Sequence, residues 1–166
     1  TESGDAGGGG DTWASTYLDG LRTLNELGSF ATITDGVIFH NTLASSDYGF
    51  LRPGDFEPRP NYYAVLLWNT LMGNTVYHCQ NHPMESVHLY CHSRKAKKPG
   101  CVYLVINNSP TDNLTVTCPL DVELYLLSSD SEMRSQTICL NGKPLYLSEY
   151  GDLPMLCGKK ISAGII

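Results

Sequence analysis

The stretch GVIFHNTLASSDYGFLRPGDFEPRPNYYAVLLWNTLM, residues 36–72, decides the fold. Its first part, Gly36–Leu43, contains the continuous apolar run Val37–Phe39. Such a run predicts a β-strand that is covered on both faces, as in a parallel sheet. Residues 44–60 follow and are rich in Ser, Asp, Gly and Pro, which predicts a long loop.

The last part of this stretch predicts a helix over Tyr62–Met72. Asn61 is a suitable cap for its first turn, and Gly73 stands at its end. Apolar residues occupy nearly all sides of this helix, so we expect it to be largely buried.

A second helix is predicted upstream of the strand. The glycine run Gly7–Gly10 indicates a loop, Asp11 is a plausible N-cap, and Gly28 is a natural stop. Between them, apolar residues recur at helical spacing: Trp13, Tyr17, Leu18, Leu21 and Leu24. The order strand end, helix, strand, helix is typical of folds built from βα repeats.

The chain changes character near residue 75. From about Ser86 onward, short alternating segments separated by turns predict β-strands, and Cys101–Ile106 has the pattern of a buried strand. Asn141-Gly142 between two apolar segments is a strong hairpin signal. These features predict an antiparallel β-sandwich, so the whole chain is expected to be an α+β composite.

The composition excludes some classes of function. The 166 residues include 11 Lys+Arg and 17 Asp+Glu, a formal net charge of -6. An acidic chain is a poor binder of nucleic acid, and we expect none as a partner. We also expect no membrane span, because no apolar run approaches about 18 residues.

The six cysteines all follow residue 78, and no CxxC pair is present. Several lie in apolar strand-like runs, where a free cysteine behaves as a small hydrophobic residue. This favours reduced structural cysteines over three disulfides, with the second arrangement left open.

Several separate motifs resemble those of glycoside hydrolase family 79, the heparanase and β-glucuronidase enzymes. In the first 78 residues they are, in order, Thr1-Glu2-Ser3-Gly4 with its glycine run, Leu24-Asn25-Glu26-Leu27-Gly28, Asn41-Thr42-Leu43, Asp47-Tyr48-Gly49-Phe50-Leu51 and residues 56–63. In the second half, Tyr103–Asn107 and Leu140-Asn141-Gly142 are similar to the accessory domain of that family.

The resemblance implies that the chain is a C-terminal fragment with two parts. Residues 1–78 would be the last βα units of a (β/α)₈ TIM barrel, which is incomplete here. Residues 79–166 would be a β-sandwich accessory domain whose last strand is missing. Both ends of the chain are interpreted as cuts through a larger protein. No metal or organic cofactor is implied.

Glu2 matches the nucleophile of the family by its motif. A retaining glycosidase needs two carboxyl groups about 5–5.5 Å apart, one as nucleophile and one as acid/base. The family takes its acid/base from an Asn-Glu pair on an earlier strand, and Asn25-Glu26 lies instead in a helix end. We therefore interpret the acid/base as absent and expect the fragment alone to be inactive.

The resemblance also implies residues that bind the sugar. Gly8 and Gly9 stand where the family uses backbone amides to hold the sugar carboxylate, and Tyr48 matches a tyrosine that contacts the same group. Asn41 stands where the family usually has Gln, and Gly49 belongs to the motif of Tyr48. The implied substrate is a β-linked uronic-acid glycoside.

Other interpretations stay open. The chain could be a non-catalytic β-sandwich that binds carbohydrate or has a structural role. It could also associate with a separate N-terminal chain that supplies the missing strands. Two local patterns offer further candidates, a zinc site and an acidic-glycan site: His78, Cys79, His82, His88, Cys91 and His92 for the first, and Arg94, Lys95, Lys97 and Lys98 for the second. The spacing of the first set fits no zinc pattern well.

Overall fold

The computed structural model describes residues 2–4, 12–80, 84–95 and 99–166. Within these ranges the chain forms two α-helices and twelve short β-strands, and one strand pair is parallel while the others are antiparallel. This confirms the predicted mixed α+β class. Neither helix of these ranges has the length and apolar character needed to cross a membrane.

Helix α1 spans Tyr17–Ala31, so it begins later than predicted from Asp11, which lies outside the described residues. Its first two N–H groups have partners in the second half of the chain. They donate to the carbonyls of Ser135 and Met133, at 2.8 and 3.0 Å. These bonds satisfy amides that the start of a helix otherwise leaves unpaired.

The prediction that α1 stops at Gly28 is wrong, because the helix continues to Ala31. Gly28 instead makes room for the ring of Tyr90. A Cβ atom at this position would lie only 2.4 Å from the ring. The Tyr90 hydroxyl donates to Asn25 Oδ1 at 2.7 Å, which keeps the ring against the helix.

Strands β1 (Glu2–Ser3) and β2 (Phe39–His40) form the parallel pair. The predicted strand over Gly36–Leu43 is therefore shorter than expected. Val37 is 69% and Phe39 66% exposed, so the described residues do not cover both faces of the predicted strand. Nothing in the described ranges covers the apolar side chains that suggested a buried strand.

Helix α2 spans Pro60–Leu71 and begins one residue before the predicted cap, Asn61. Pro60 suits the first turn, because its fixed φ is helical and the N–H it lacks would have no helical partner there. Arg59 is the N-cap, and Met72 already has extended backbone. Asn61 is fully buried inside the helix start rather than capping it.

The largest sheet has the order β3-β4-β5, with β3 at Met72–Tyr77, β4 at Val87–Arg94 and β5 at Cys101–Asn107. Strand β3 precedes the predicted domain boundary after residue 78 and pairs with β4 beyond it. The boundary itself stays a prediction.

The remaining strands are short and antiparallel. They pair as β8-β9-β10, β7-β11 and β6-β12. Their bounds are Thr117–Cys118 (β6), Val122–Leu124 (β7), Leu127–Ser129 (β8), Ile138–Leu140 (β9), Lys143–Pro144 (β10), Lys159–Ile161 (β11) and Gly164–Ile165 (β12).

The predicted hairpin at Asn141-Gly142 is confirmed between β9 and β10. Both residues have positive φ, 50° and 79°, as a two-residue turn of this sequence requires. The Asn141 side chain also ties neighbouring segments together. It accepts from the N–H of Leu126 (3.0 Å) and donates to the carbonyls of Leu124 (3.1 Å) and Cys157 (3.2 Å).

Two apolar clusters form the core of the described part of the chain, and both join helices to strands. The first packs α2 on the β8–β10 sheet and contains Tyr63, Leu67, Ile138, Leu140 and Leu145. The second packs α1 and α2 on β5 and contains Leu21, Leu24, Ala64 and Ile106. The helical and strand-rich parts of the chain therefore share one hydrophobic interior.

All six cysteines lie within the described residues, and all six thiols are free. Cys91 and Cys139 are buried, and burial is the main cause that raises the pKa of each thiol, that of Cys91 to about 11. Such thiols are protonated at neutral pH and react slowly.

Candidate active site

The candidate site lies where β1 and β2 end side by side. Glu2 pairs with Phe39 and Ser3 with His40. The N–H of Asn41 donates to the Ser3 carbonyl at 2.6 Å and extends the ladder by one step. Parallel strands run in the same direction, so their C-terminal ends lie side by side. The backbone of Glu2 and that of Asn41 therefore lie at the same end of this strand pair.

The chain leaves β1 through a narrow gap at Gly4. A Cβ atom at this position would lie 2.7 Å from the carbonyl oxygen of Asn41 and 3.6 Å from Cε2 of Tyr48. Only glycine fits beside that carbonyl without movement. The structure therefore brings Asn41, Tyr48 and the strand of Glu2 together, while the roles of these residues stay predictions.

Tyr48 lies in the loop between β2 and α2 and is 7% exposed. Gly49, the next residue, is buried against the segment that follows β2. A Cβ atom there would meet the carbonyl oxygens of Leu43 and Thr42 at 3.1 and 3.2 Å. Gly49 thus folds the loop closely onto that segment, and its contact with substrate stays a prediction.

His40 lies in β2, directly before Asn41. Its ring stacks on that of Phe50, with centroids 3.8 Å apart and planes 19° apart. Burial lowers the pKa of His40, and the positive charge of Arg22 lowers it further. The imidazole is therefore neutral at neutral pH and offers no positive charge that could attract an acidic ligand.

Sequence reasoning missed a buried polar pair behind the Tyr48 loop, formed by Asp19 of α1 and Asn61 of α2. Both are 0% exposed, and the Asn61 amide donates to Asp19 Oδ2 at 3.0 Å. Arg22 Nε donates to the other oxygen, Oδ1, at 3.0 Å. Burial raises the pKa of Asp19, whereas Arg22 acts in the opposite direction.

A signal for this pair was present in the sequence. Asp19 lies between Leu18 and Leu21 in the apolar stripe of α1, where a carboxylate needs a partner. For Asn61 the sequence favours a cap, because asparagine before a helical pattern is commonly one.

Several predicted features lie wholly or partly outside the described residues. Gly8 and Gly9 are among them, and only the backbone of Glu2 is described. The roles of these three residues stay predictions.

Of the His and Cys residues considered for zinc, His92 has contacts that hold its ring inside the fold. The buried ring of His92 contacts the Gly73 carbonyl through Nδ1 at 3.0 Å and meets Trp68 edge-on at 5.0 Å. His82 lies outside the described ranges. Within those ranges, no three His, Cys, Asp or Glu side chains are close enough to hold a metal ion.

Two side chains of the basic run, those of Arg94 and Lys95, donate hydrogen bonds within the chain. Arg94 Nη1 donates to the Pro99 carbonyl at 3.4 Å, and Lys95 Nζ to Asn69 Oδ1 at 3.3 Å. Lys97 and Lys98 lie outside the described residues.

Known proteins similar to this chain carry the names that the motifs predicted. Baicalin-β-D-glucuronidase of Scutellaria baicalensis is 31% identical over 163 residues, which cover 92% of this chain and 31% of that protein. Heparanase-like protein 1 of Arabidopsis thaliana is 29% identical, covering 92% of this chain and 36% of its own length. Heparanase of Mus musculus is 29% identical, covering 95% and 32% respectively.

The chain spans about a third of the length of these relatives. No protein-family model matches it. The similarity extends over most of the chain and includes both its helices and its strand-rich part. The resemblance predicted from the motifs is thus confirmed, and the chain belongs to the heparanase- and β-glucuronidase-like family.

Proposed function

We propose that the chain is part of a retaining glycosidase that hydrolyses β-linked uronic-acid glycosides. The observation that carries this proposal is the parallel pairing of β1 with β2, which sets the strand of Glu2 beside Asn41 and Tyr48. The glycosidase names of the relatives support the same class of reaction. The parallel pair with its two following helices would be the last βα units of a TIM barrel, and the strand-rich remainder a β-sandwich.

In this proposal Glu2 is the nucleophile. Its carboxylate attacks the anomeric carbon, and the bond to the leaving oxygen breaks as that oxygen receives a proton. Water then attacks the glycosyl-enzyme ester, gives up a proton and releases the sugar, which restores the carboxylate. The acid/base that moves both protons comes from outside this chain.

The sugar carboxylate is held by the Tyr48 hydroxyl and by the backbone amides of Gly8 and Gly9. Amides of a glycine loop approach an anion closely because no side chain intervenes. Asn41 hydrogen-bonds to a sugar hydroxyl, and Gly49 keeps the Tyr48 loop in place.

The isolated chain should be inactive and prone to aggregate. Val37, Phe39 and Leu43 are 69%, 66% and 62% exposed and lie before, in and after β2, where the rest of a barrel would cover them. We expect the purified chain to bind an apolar dye and to show no turnover, and co-expression with the preceding barrel segments to abolish dye binding. A monodisperse, dye-silent isolated chain would contradict this incompleteness.

Replacement of Tyr48 by Phe tests the assigned substrate. In the full-length protein, we expect the ratio of kcat/KM for an aryl β-D-glucuronide to that for the matching β-D-glucoside to fall about tenfold or more. The reason is that a hydrogen bond to a charged group is lost, worth about 1.5–3 kcal/mol. Steady-state kinetics with the two substrates measure this ratio.

Tyr150→Phe is the matched control, since Tyr150 is 84% exposed and remote in sequence from the site. It should leave the ratio unchanged. An unchanged ratio in Tyr48→Phe would remove the carboxylate role. Absence of turnover of either substrate by the folded wild-type protein would favour the non-catalytic carbohydrate-binding or structural module instead.

A further inference from the structure

Four successive backbone carbonyls, those of residues 46–49, all accept hydrogen bonds from side chains. The Arg59 guanidinium donates through Nη1 to the first and the fourth, at 2.9 and 3.2 Å. The Ser15 hydroxyl donates to the second. The Asn61 amide donates to the third, that of Tyr48, at 3.3 Å. Residues 46–49 belong to no helix or strand, so these side chains fix the carbonyls in place of a backbone ladder.

The donors come from the starts of two packed helices. Arg59 and Asn61 flank the first residue of α2, and Ser15 precedes α1. Asp19 orients two of them, because its Oδ2 accepts from the Asn61 amide at 3.0 Å and from the Ser15 N–H at 3.3 Å. Asp19 and Asn61 are fully buried, so solvent does not compete for these bonds.

The loop held in this way places Tyr48 at the predicted site. The Tyr48 carbonyl accepts a hydrogen bond from Asn61, at the start of α2. The Tyr48 ring lies beside Gly4, which directly follows β1. We propose that Ser15, Arg59 and Asn61 are positioning residues, which hold residues 46–49 so that Tyr48 meets the carboxylate of a uronic acid. This inference rests on the proposed function and adds to it the element that sets uronate selectivity.

Arg59→Lys in the full-length protein tests the inference. Both bonds come from the single atom Nη1, and the ammonium of a lysine ends one covalent bond short of that position, so it cannot reach both carbonyls together. Arg52→Lys is the matched control, because Arg52 is exposed and bonded to Asp55, a side chain three residues away, at 2.6 Å. We measure the kcat/KM ratio of an aryl β-D-glucuronide to its β-D-glucoside, together with hydrogen exchange of the 42–51 peptide by mass spectrometry.

We expect Arg59→Lys to lower the glucuronide-to-glucoside ratio at least about tenfold and to speed exchange in residues 42–51. Arg52→Lys should match the wild type in both. Ser15→Ala removes a single hydroxyl donor, so it should also lower the substrate ratio and speed exchange in residues 42–51, each by a smaller amount. This variant replaces Arg59→Lys in the test if Arg59→Lys does not fold.

The two possible failures are distinguishable. Faster exchange with an unchanged substrate ratio, or no change in exchange, would overturn the positioning role while the glycosidase proposal stands. Absence of turnover in the wild type would overturn the glycosidase proposal, and this inference with it.

Discussion

Glu2→Gly in the full-length protein should lower turnover of aryl β-D-glucuronides by at least about 10³-fold, because the covalent intermediate can no longer form. Added sodium azide should restore turnover and yield α-D-glucuronyl azide. The small anion enters the space left by the carboxylate and attacks from the face opposite the leaving group, so one displacement inverts the anomeric centre. The product configuration is read by NMR.

The configuration separates the two carboxylate roles. If Glu2 were the acid/base, azide would attack the glycosyl-enzyme formed by another residue, and the product would be the β-azide. Glu26→Gln is the matched control, since Asn25-Glu26 is the one Asn-Glu pair in the sequence. Glu26 forms an ion pair with Arg22 at 2.5 Å on α1, and its replacement should leave glucuronide turnover near that of the wild type. A β-azide, or normal turnover of Glu2→Gly, would remove the nucleophile assignment.

Gly28→Ala should be the more damaging of two similar substitutions in α1. The new Cβ would lie 2.4–2.5 Å from three ring atoms of Tyr90, including the one nearest its backbone, so the whole ring must move. The bond from Tyr90 to Asn25 would be strained as well. We expect the free energy of unfolding of the full-length protein to fall by about 1–3 kcal/mol, measured by urea titration.

Gly20→Ala is the control within the same helix. Its Cβ would lie 3.5 Å from the Pro60 carbonyl oxygen and 3.7 Å from Ala64 Cβ, which is ordinary contact. We expect stabilisation of about 0.4–1 kcal/mol, because alanine lowers the conformational entropy of the unfolded chain. Equal effects at Gly20 and Gly28 would show that helix propensity, and not the Tyr90 contact, controls stability here.

The parts of the fold that local physics decides were predictable. Apolar spacing identified α1, and an apolar segment that ends before Gly73 identified α2. Asn141-Gly142 identified the hairpin, because a turn that needs two positive φ angles selects this dipeptide. The resemblance assigned Asn41 and Tyr48 to the site of Glu2, and both lie beside Gly4, directly after the strand of Glu2, while their roles stay predictions.

The misses come from contacts distant in sequence. Gly28 continues the helix because Tyr90, 62 positions later, needs the space, and α1 begins at Tyr17 where the carbonyls of Met133 and Ser135 receive its first amides. The bonds of Asn61 to Asp19 and to Tyr48 join three segments that no short-range pattern relates. Local propensities cannot report such pairs, which tertiary structure alone brings together.

The core clusters join helices to strands, and this limits where segments of related proteins can be exchanged. Tyr63 and Leu67 of α2 share one cluster with Ile138, Leu140 and Leu145, and strand β3 pairs across residue 78 with β4. A chimera joined after residue 78 would set the α2 face of one relative against the strand surface of another, where side-chain volumes must match closely. Exchanging residues 12–166 as one block, with both helices and the strands they pack on, keeps both core clusters intact and is the better unit for building hybrid proteins.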